Sequence, residues 1–358
     1  QRGMSVANVA DGTIEVADSN FEFTTANTAT EGVFFDNNDA ATINLSGLSI
    51  DTADESATRG LVVQNGGTLN MTGLTNVINT ENGAGLEIRD MTIGVADIQS
   101  VTVDGMTGPL NAIILEDLTG GQVAIGPSSG ANNAGGTLLS TGDTILVTNV
   151  EDLLLRRLDA DSSAASALSV TGSGTDPLAL VLENSTLTSM GTGDAISMLM
   201  TDALTDADII LRGVTVTAAD GSAFLFRSDD PAIKDVRLLV EQNSNFTNNS
   251  LDTTFDVEAA GGTTLNATIT NNTFTNNGAG EQYEIETTDA TANINLNMAG
   301  NQAAEFRLIE FVGSDFQLDE RDTTINGTRN TGTVTPLPTA ADFTEHNGTG
   351  TVPTPTPP

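Results

Sequence analysis

Two short apolar alternations recur together along this chain, at intervals of about 27 residues, through eleven cycles. In each alternation two apolar residues occupy alternate positions, the pattern of a strand with one buried face. The first series is Val33/Phe35, Leu61/Val63, Leu86/Ile88, Ile113/Leu115, Ile145/Val147, Leu168/Val170, Ile196/Met198, Phe224/Phe226, Phe255/Val257, Tyr283/Ile285 and Phe306/Leu308. The second series is Ile43/Leu45, Leu69/Met71, Val101/Val103, Val123/Ile125, Leu153/Leu155, Leu180/Leu182, Ile209/Leu211, Leu238/Val240, Ala267/Ile269, Ile294/Leu296 and Phe316/Leu318. Because both series keep the same spacing, each cycle is predicted to be one coil of a solenoid, stacked on the previous coil.

A turn-forming residue follows the second strand of many cycles, three positions before an apolar residue. The pairs are Gly47/Ile50, Asp90/Ile93, Asn184/Leu187, Gly213/Val216, Asn243/Phe246 and Asn271/Phe274. Gly, Asn and Asp tolerate positive φ at low cost, so this column predicts a left-handed corner between strands. Asn side chains stacked at such a corner are expected to form hydrogen bonds from coil to coil, which is a structural role.

Coils such as LALVLENSTL, VRLLVEQNSNF and ATITNNTF resemble those of right-handed parallel β-helix proteins, the architecture of pectate lyases, phage tailspikes and many bacterial surface adhesins. The resemblance covers about residues 30–320 and implies an all-β, right-handed parallel β-helix of about eleven coils. A leucine-rich repeat is the alternative, since its period overlaps. Its return segments favour helix formers, however, whereas those here are rich in Gly, Thr, Ser, Asp and Asn. A left-handed β-helix needs a hexapeptide rhythm that is absent.

Two segments fall outside the rhythm, which gives three expected regions. Residues 1–30 are expected to form a cap or partial coil over the first exposed core. Residues 31–330 are expected to form the β-helix. Residues 331–358 carry six of the ten prolines, so they are expected to stay out of the sheet as an extended linker or arm.

The surface is strongly acidic. Against 48 Asp and Glu stand 12 Lys and Arg, giving a net charge of −36. Such a charge repels phosphate backbones and anionic lipids, which disfavours nucleic-acid and membrane-surface partners.

No apolar run is long enough to predict a transmembrane helix. There is no cysteine, so disulfides and thiolate metal sites are excluded. The acidic excess suits a saline or calcium-containing exterior, so no cofactor is assigned and calcium is the one left open. The repeat composition is typical of exported bacterial surface proteins.

The catalytic groups of β-helix enzymes are not recognisable. The resemblance implies, for polygalacturonase-like members, several Asp with Gly-His-Gly and Arg-x-Lys. Here the one histidine is His346, in the proline-rich tail, and the one lysine is Lys234, which precedes Asp235. Arg156 and Arg157 are adjacent, and a surface pair of this kind is predicted to form salt bridges rather than to act as a base.

Clustered carboxylates leave a glycosidase and a calcium site open as alternatives. The densest groups are Asp229 with Asp230, and Asp202, Asp206 and Asp208, all expected in loops between strands. No residue is therefore assigned as catalytic, cofactor-binding or metal-binding.

Asn-x-Ser/Thr sequons begin at Asn44, Asn70, Asn184, Asn245, Asn248, Asn266, Asn271, Asn326 and Asn347. Several fall on strands, so Asn326 and Asn347 are the better glycan acceptors.

These patterns predict a non-enzymatic structural or adhesive protein of the cell surface or extracellular space. Self-association into filaments or a surface layer is expected, with the tail or the N-terminal strand docking on a neighbour, and surface glycans are the other expected partners. A carbohydrate-active enzyme is the main alternative. A third is an ice- or crystal-binding threonine face, which is weakened because Thr positions keep no constant register.

Overall fold

The computed structural model describes residues 2–23, 31–52, 57–73, 75–105, 108–172, 177–201, 206–228, 234–325, 327–345 and 352–355. The chain is an all-β, parallel β-solenoid of about eleven turns, as the repeat predicts. It divides into two compact units, the first formed by residues up to 169 with 184–187, and the second by residues 170–183 and those from 188 onward.

The first unit contains three strands per coil, and its strands are β1 (Arg2–Ala7), β2 (Gly12–Ala17), β3 (Asn20–Glu22), β4 (Glu31–Asp36), β5 (Ala41–Ser46), β6 (Ser49–Thr52), β7 (Arg59–Gln64), β8 (Thr68–Thr72), β9 (Val77–Thr80), β10 (Leu86–Ile98), β11 (Ser100–Val103), β12 (Ile113–Gly120), β13 (Val123–Ile125), β14 (Gly136–Ser140), β15 (Ile145–Val150), β16 (Asp152–Arg156) and β17 (Leu158–Ser162).

The second unit repeats the arrangement, and the division between units falls within its first and third strands. Its strands are β18 (Leu168–Gly172), β19 (Leu178–Glu183), β20 (Thr186–Ser189), β21 (Ile196–Met200), β22 (Asp206–Arg212), β23 (Thr215–Ala218), β24 (Phe224–Ser228), β25 (Lys234–Glu241), β26 (Asn245–Asn248), β27 (Phe255–Ala259), β28 (Thr263–Thr270), β29 (Thr273–Asn276), β30 (Glu284–Thr287), β31 (Asn293–Ala299), β32 (Gln302–Ile309), β33 (Asp315–Leu318), β34 (Thr331–Leu337) and β35 (Thr344–Glu345), with one short helix, α1 (Arg321–Ile325).

The core of the first unit is a set of apolar columns. Residues of the first predicted series stack rung on rung, so that Leu61, Leu86 and Ile113 are register partners on β7, β10 and β12. All three are fully buried. Each buried side chain therefore contacts the equivalent side chains of the two neighbouring coils. These contacts between coils form the hydrophobic core of a solenoid.

One coil of the second series was predicted wrongly. Val101 lies on β11, which pairs with the third strands β9 and β14, so Val101 and Val103 belong to a third-strand column. The true second-strand segment is the end of the long strand β10, where Ala96 pairs with Val123. A register shift beside Gly94 breaks the alternation there and hides the strand from sequence analysis.

The second unit confirms most of a predicted column and corrects its last member. Leu182, Leu211, Val240 and Ile269 are successive register partners, and all are fully buried. Leu296 does not join them, because Ile269 pairs with Met298 and Leu296 pairs with Ala267 in the neighbouring column.

The left-handed corners are confirmed. Gly47, Asn184, Gly213, Asn243 and Asn271 have φ of 61°, 50°, 59°, 58° and 58°. Asp90 also has positive φ, 52°, but it lies on β10 between the part that pairs with β7 and the part that pairs with β8. It therefore marks the corner between first and second strands, a different corner from the one predicted.

Replacement of Gly213 by valine is expected to destabilise the protein by about 1–3 kcal/mol, because a β-branched residue resists the observed φ of 59°. Gly213→Asn is the matched control, since asparagine occupies the same corner at Asn184, Asn243 and Asn271, and it should cost much less. Thermal melting of both variants tests this. Equal melting temperatures for the two variants would contradict the assignment of the corner.

The predicted coil-to-coil asparagine bonds exist, one residue later than expected. Asn272, Asn301 and Asn330 are buried next to the corner, whereas Asn271 is exposed. The backbone N of Asn272 donates to Asn301 Oδ1 (3.0 Å), and the backbone N of Asn301 donates to Asn330 Oδ1 (3.0 Å). The amides thus satisfy backbone groups that would otherwise be buried without partners.

The N-terminal segment forms a coil of its own. Its strands β1, β2 and β3 pair in parallel with β4, β5 and β6. Val16 is its one buried apolar residue in the described part of the chain, and Met4, Ile14 and Phe21 are half-buried, as expected for a coil with its inner face covered on one side.

The expectation that the proline-rich tail stays out of the sheet was wrong for residues 331–337. This segment is strand β34, parallel to β32, and Val334 is buried. The backbone N of Glu310 donates to the carbonyl of Leu337 (2.8 Å), so the backbone N and O atoms of Leu337 point toward β32. The backbone N and O atoms of the preceding residue, Pro336, therefore point away from β32. A proline at that position breaks no ladder bond, which explains why the strand tolerates it. Phe343 is buried against Phe316, with ring centroids 4.9 Å apart.

Candidate functional site

Most arginine side chains on the outward strand faces bind carboxylates of neighbouring coils. In the first unit Arg59 pairs with Glu31 and Glu87, and Arg89 pairs with Glu87 and Glu116. In the second unit Arg212 lies between Glu183 (3.4 Å) and Glu241 (2.7 Å). These rows place opposite charges on adjacent rungs, which reduces the repulsion between strands of an acidic protein.

Since acidic residues outnumber basic ones 48 to 12, net repulsion is expected to exceed what these pairs remove. The thermal midpoint should therefore rise from low salt to about 1 M NaCl, where the Debye length falls to about 3 Å. Calorimetry across a salt series checks this. An unchanged or falling midpoint would show that the ion-pair rows, rather than the net charge, dominate.

Four carboxyl-bearing residues lie together on β27 and β30, and we call Asp256, Glu258, Glu284 and Glu286 the acidic patch. Asp256 pairs in register with Glu284, and Glu258 with Glu286. Adjacent parallel strands lie about 4.8 Å apart and alternate residues share a face, so the four carboxyl-bearing residues are neighbours on one outward face. Sequence analysis did not single out these residues, because the alternation of apolar and acidic residues here is that of any half-buried strand.

One arginine flanks the acidic patch on each side. Arg227 on β24 donates through Nε (2.7 Å) and Nη2 (2.5 Å) to Glu258, and Arg307 on β32 binds Glu284 (2.7 Å). The other two carboxyls, Asp256 and Glu286, form no ion pair with described residues. Asp256 Oδ1 is also buried without a hydrogen-bond partner.

This environment disfavours ionisation. Burial raises the pKa of the Asp256 carboxyl to about 8, with further contributions from Glu258, Glu284 and Glu286. Burial, Glu284 and Glu258 raise the pKa of Glu286 to about 7. Burial also raises the pKa of Glu284, although Arg307 opposes the shift. The patch therefore holds protons at neutral pH, which an isolated surface carboxylate does not.

The folded protein is expected to lose stability as the pH rises from about 4 to about 8. The carboxyl pKa is about 4 in the unfolded chain and about 8 for folded Asp256, so the folded state binds more protons between these values. Asp256→Asn, which cannot ionise, should flatten this loss and be more stable than the wild type at pH 8. Denaturant unfolding between pH 4 and pH 9 measures it, with the exposed Asp206→Asn as control. A variant that follows the wild-type curve would contradict the assignment.

Two of the carboxylates that were expected in loops, Asp206 and Asp208, instead lie on strand β22, so that expectation was wrong for them. Asp208 binds Arg237 of the next coil (2.9 Å), and Asp206 is exposed on the same strand. Asp202, Asp229 and Asp230 lie outside the described residues, as do His346 and the side chain of Lys234. Among the described residues no three carboxylate or histidine side chains form a group that could hold a metal ion.

The prediction of salt bridges for Arg156 and Arg157 was wrong. Arg157 Nη1 donates to the carbonyl oxygen of Gly130 (2.7 Å), at a corner where its own φ is 55°. Arg156 belongs to no ion pair of the described residues, and its Nε atom is buried without a hydrogen-bond partner.

Two sequons are incompatible with glycans on the folded protein, since Asn248 is fully buried and Asn266 is 4% exposed. Asn326 and Asn347 lie outside the described residues.

No helix within the described ranges is long and apolar enough to cross a membrane.

The protein is a parallel β-solenoid with an acidic surface. Many of its outward polar side chains bind polar side chains of the adjacent coils. The chain matches no protein-family model, no curated protein and no solved structure.

Proposed function

We propose that this protein is a non-catalytic structural or adhesive β-solenoid of the cell surface or extracellular space. The observation that carries the proposal is how the outward polar side chains are used. They bind the equivalent position of the next coil, as in Glu183–Arg212–Glu241 and in the row where Asn266 binds Asp235 (2.9 Å) and Asn295 binds Asn266 (2.9 Å). Repeated pairing of this kind stabilises the stack itself, which is what a scaffold requires.

Composition supports an exterior location. A net charge of −36 keeps the surface hydrated and is screened in saline media. A chain without cysteine also has no thiol that oxidation outside the cell would modify.

Antibody labelling of intact and permeabilised source cells tests the location. Equal labelling of both, with loss of the signal after protease treatment of intact cells, is the expected result. Labelling that appears only after permeabilisation, together with absence of the protein from the medium, would overturn the proposal.

A second candidate function, a carbohydrate-active enzyme, is favoured by one observation. The acidic patch places a carboxyl with a pKa of about 8, Asp256, beside Glu258 and Glu284. A protonated and an ionised carboxyl about 5 Å apart are the groups that a retaining glycosidase requires. Release of reducing ends from neutral polysaccharides would support this function if Asp256→Asn abolished it and Asp206→Asn did not. No release by the wild type would reject it.

Self-association is part of the proposal, with a further copy of the chain as partner. Since β34 pairs within its own chain, residues 331–337 are not a free docking arm. Light scattering of the full chain across a concentration series tests association directly. Mass that grows with concentration supports it, and a monomer throughout contradicts it.

A further inference from the structure

The first unit carries one long insertion at the corner between second and third strands. Residues 126–135 connect β13 to β14, whereas the other connections at this corner in the first unit have one to four residues. We call this segment the corner loop. In a solenoid an insertion in a single coil leaves the core unchanged and alters only the surface, so such loops commonly form binding faces.

The corner loop is held in one conformation. Arg157 Nη1 donates to the carbonyl of Gly130 (2.7 Å), and the backbone N of Gly135 donates to the carbonyl of Arg157 (2.8 Å). Within the loop, the N of Ala134 donates to the carbonyl of Ala131 (3.1 Å). A loop tied at both its middle and its end forms a preorganised wall, which lowers the entropic cost of binding a ligand.

A depression of about 390 Å³ lies between the corner loop and the adjoining coils. Its volume is within the range of small-molecule sites, about 300–1,000 Å³. Ala124 forms part of the floor, and it stands between Asp97 and Leu154 in the row of outward residues. Because the alanine side chain is small, the row is indented at this rung.

Polar groups surround the depression. Asp97 and Gln99 line it from one side, Ser128 and Ser129 of the corner loop from another, and Arg156 completes it. Asp97, Ser128 and Ser129 are exposed, so their polar groups are open to a ligand. The set supplies both acceptors and donors.

Among the described residues, Arg156 is one of the side chains that have a buried polar atom without a hydrogen-bond partner, and it forms no ion pair. Arg59, Arg89, Arg212, Arg227, Arg237, Arg307, Arg321 and Arg329 all bind carboxylates. The side chain of Arg156 binds none of the described carboxylates, and its buried Nε has no acceptor. Arg156 also lines the depression, so a ligand bound there lies next to an arginine whose charge no described carboxylate neutralises.

We propose that this depression binds the hydroxyl groups of a neutral sugar ring, as part of a glycan chain. A sugar diol both donates and accepts, so it can accept from Arg156 and donate to Asp97. Anionic ligands fit poorly, because Asp97 lines the depression and the whole chain has a net charge of −36. This inference names the ligand of the adhesive role and rests on the proposed function.

The test measures binding of cellohexaose, mannohexaose and hexagalacturonate to the full chain by saturation-transfer NMR and calorimetry. At least one neutral hexamer should bind saturably. Arg156→Met keeps the alkyl stem and should weaken binding by about tenfold or more, the value of one lost hydrogen bond to a charged group. Ser128→Trp, at an exposed rim position, should block the depression without touching the core. Arg212→Ala is the control, since Arg212 lies in the other unit, and it should leave the affinity unchanged.

Three results would overturn the inference: no saturable binding of a neutral hexamer up to about 10 mM, tighter binding of hexagalacturonate, or equal affinity of wild type, Arg156→Met and Ser128→Trp. Each leaves the cell-labelling experiment unaffected, so failure of the glycan site is distinguishable from failure of the proposed location and role.

Discussion

Truncation of Phe255 to alanine is expected to lower the free energy of unfolding by roughly 3–5 kcal/mol. Phe255 is fully buried at the centre of an aromatic column in the second unit. Its ring stacks on Phe224 at 4.7 Å and on Tyr283 at 5.4 Å, and it meets Phe246 and Phe274 edge to face at 5.2 and 5.0 Å. Each such pair adds about 0.5–1.5 kcal/mol to the effect of burial alone, which places this variant among the most damaging.

Denaturant unfolding and amide hydrogen exchange of the second unit measure the loss. Phe255→Leu should cost much less than Phe255→Ala, because it removes the ring contacts but fills most of the volume. Leu251→Ala is the matched control, since Leu251 is 76% exposed in the same unit. A Phe255→Ala protein as stable as Leu251→Ala would contradict the aromatic column.

Replacement of Asn301 by leucine is expected to destabilise the protein by roughly 2–6 kcal/mol, although leucine is apolar and of similar size. Asn301 is buried, and its Nδ2 donates to the carbonyl of Ile269 (2.6 Å) while its Oδ1 accepts from the backbone N of Asn272 (3.0 Å). The substitution leaves both backbone groups buried without partners, at about 1–3 kcal/mol each. The magnitude follows from those two groups rather than from the lost side chain.

The exposed pair Asn249 and Asn277 provides the control for this variant. Asn277 Nδ2 donates to Asn249 Oδ1 (2.9 Å), the same chemistry in contact with water. Asn277→Ala should change stability by no more than about 0.5 kcal/mol. If the two variants melted at the same temperature, the buried amide ladder would have no special role.

The fold was predictable because the signals for it are local. A strand with one buried face shows its alternation in three residues, such as Leu168 to Val170, and a positive-φ corner shows itself in one residue, such as Gly213. A fixed spacing between these signals then specifies stacking. No knowledge of which atoms touch is needed for that step.

What sequence analysis missed depends on the pairing of residues that are distant along the chain. The third-strand position of Val101 followed from the bulge beside Gly94, and the buried ladder used Asn272 instead of Asn271. Strand β34 was not predicted, because a proline is tolerated in a strand only where its nitrogen points away from the neighbouring strand. The direction in which the Pro336 nitrogen points follows from the pairing of β34 with β32.

The sequence by itself determined the solenoid, its approximate number of coils and most of its left-handed corners, because period and turn chemistry are properties of short segments repeated along the chain. Only the tertiary structure decided where chemistry can occur. Burial in the folded protein is the main cause of the raised pKa of Asp256, and Glu258 and Glu284 add to it. The depression beside Arg156 is formed with a corner loop that Arg157 of the next coil anchors. The physical reason is that burial and charge coupling act through space over a few ångströms, whereas these groups are separated by a whole coil of chain.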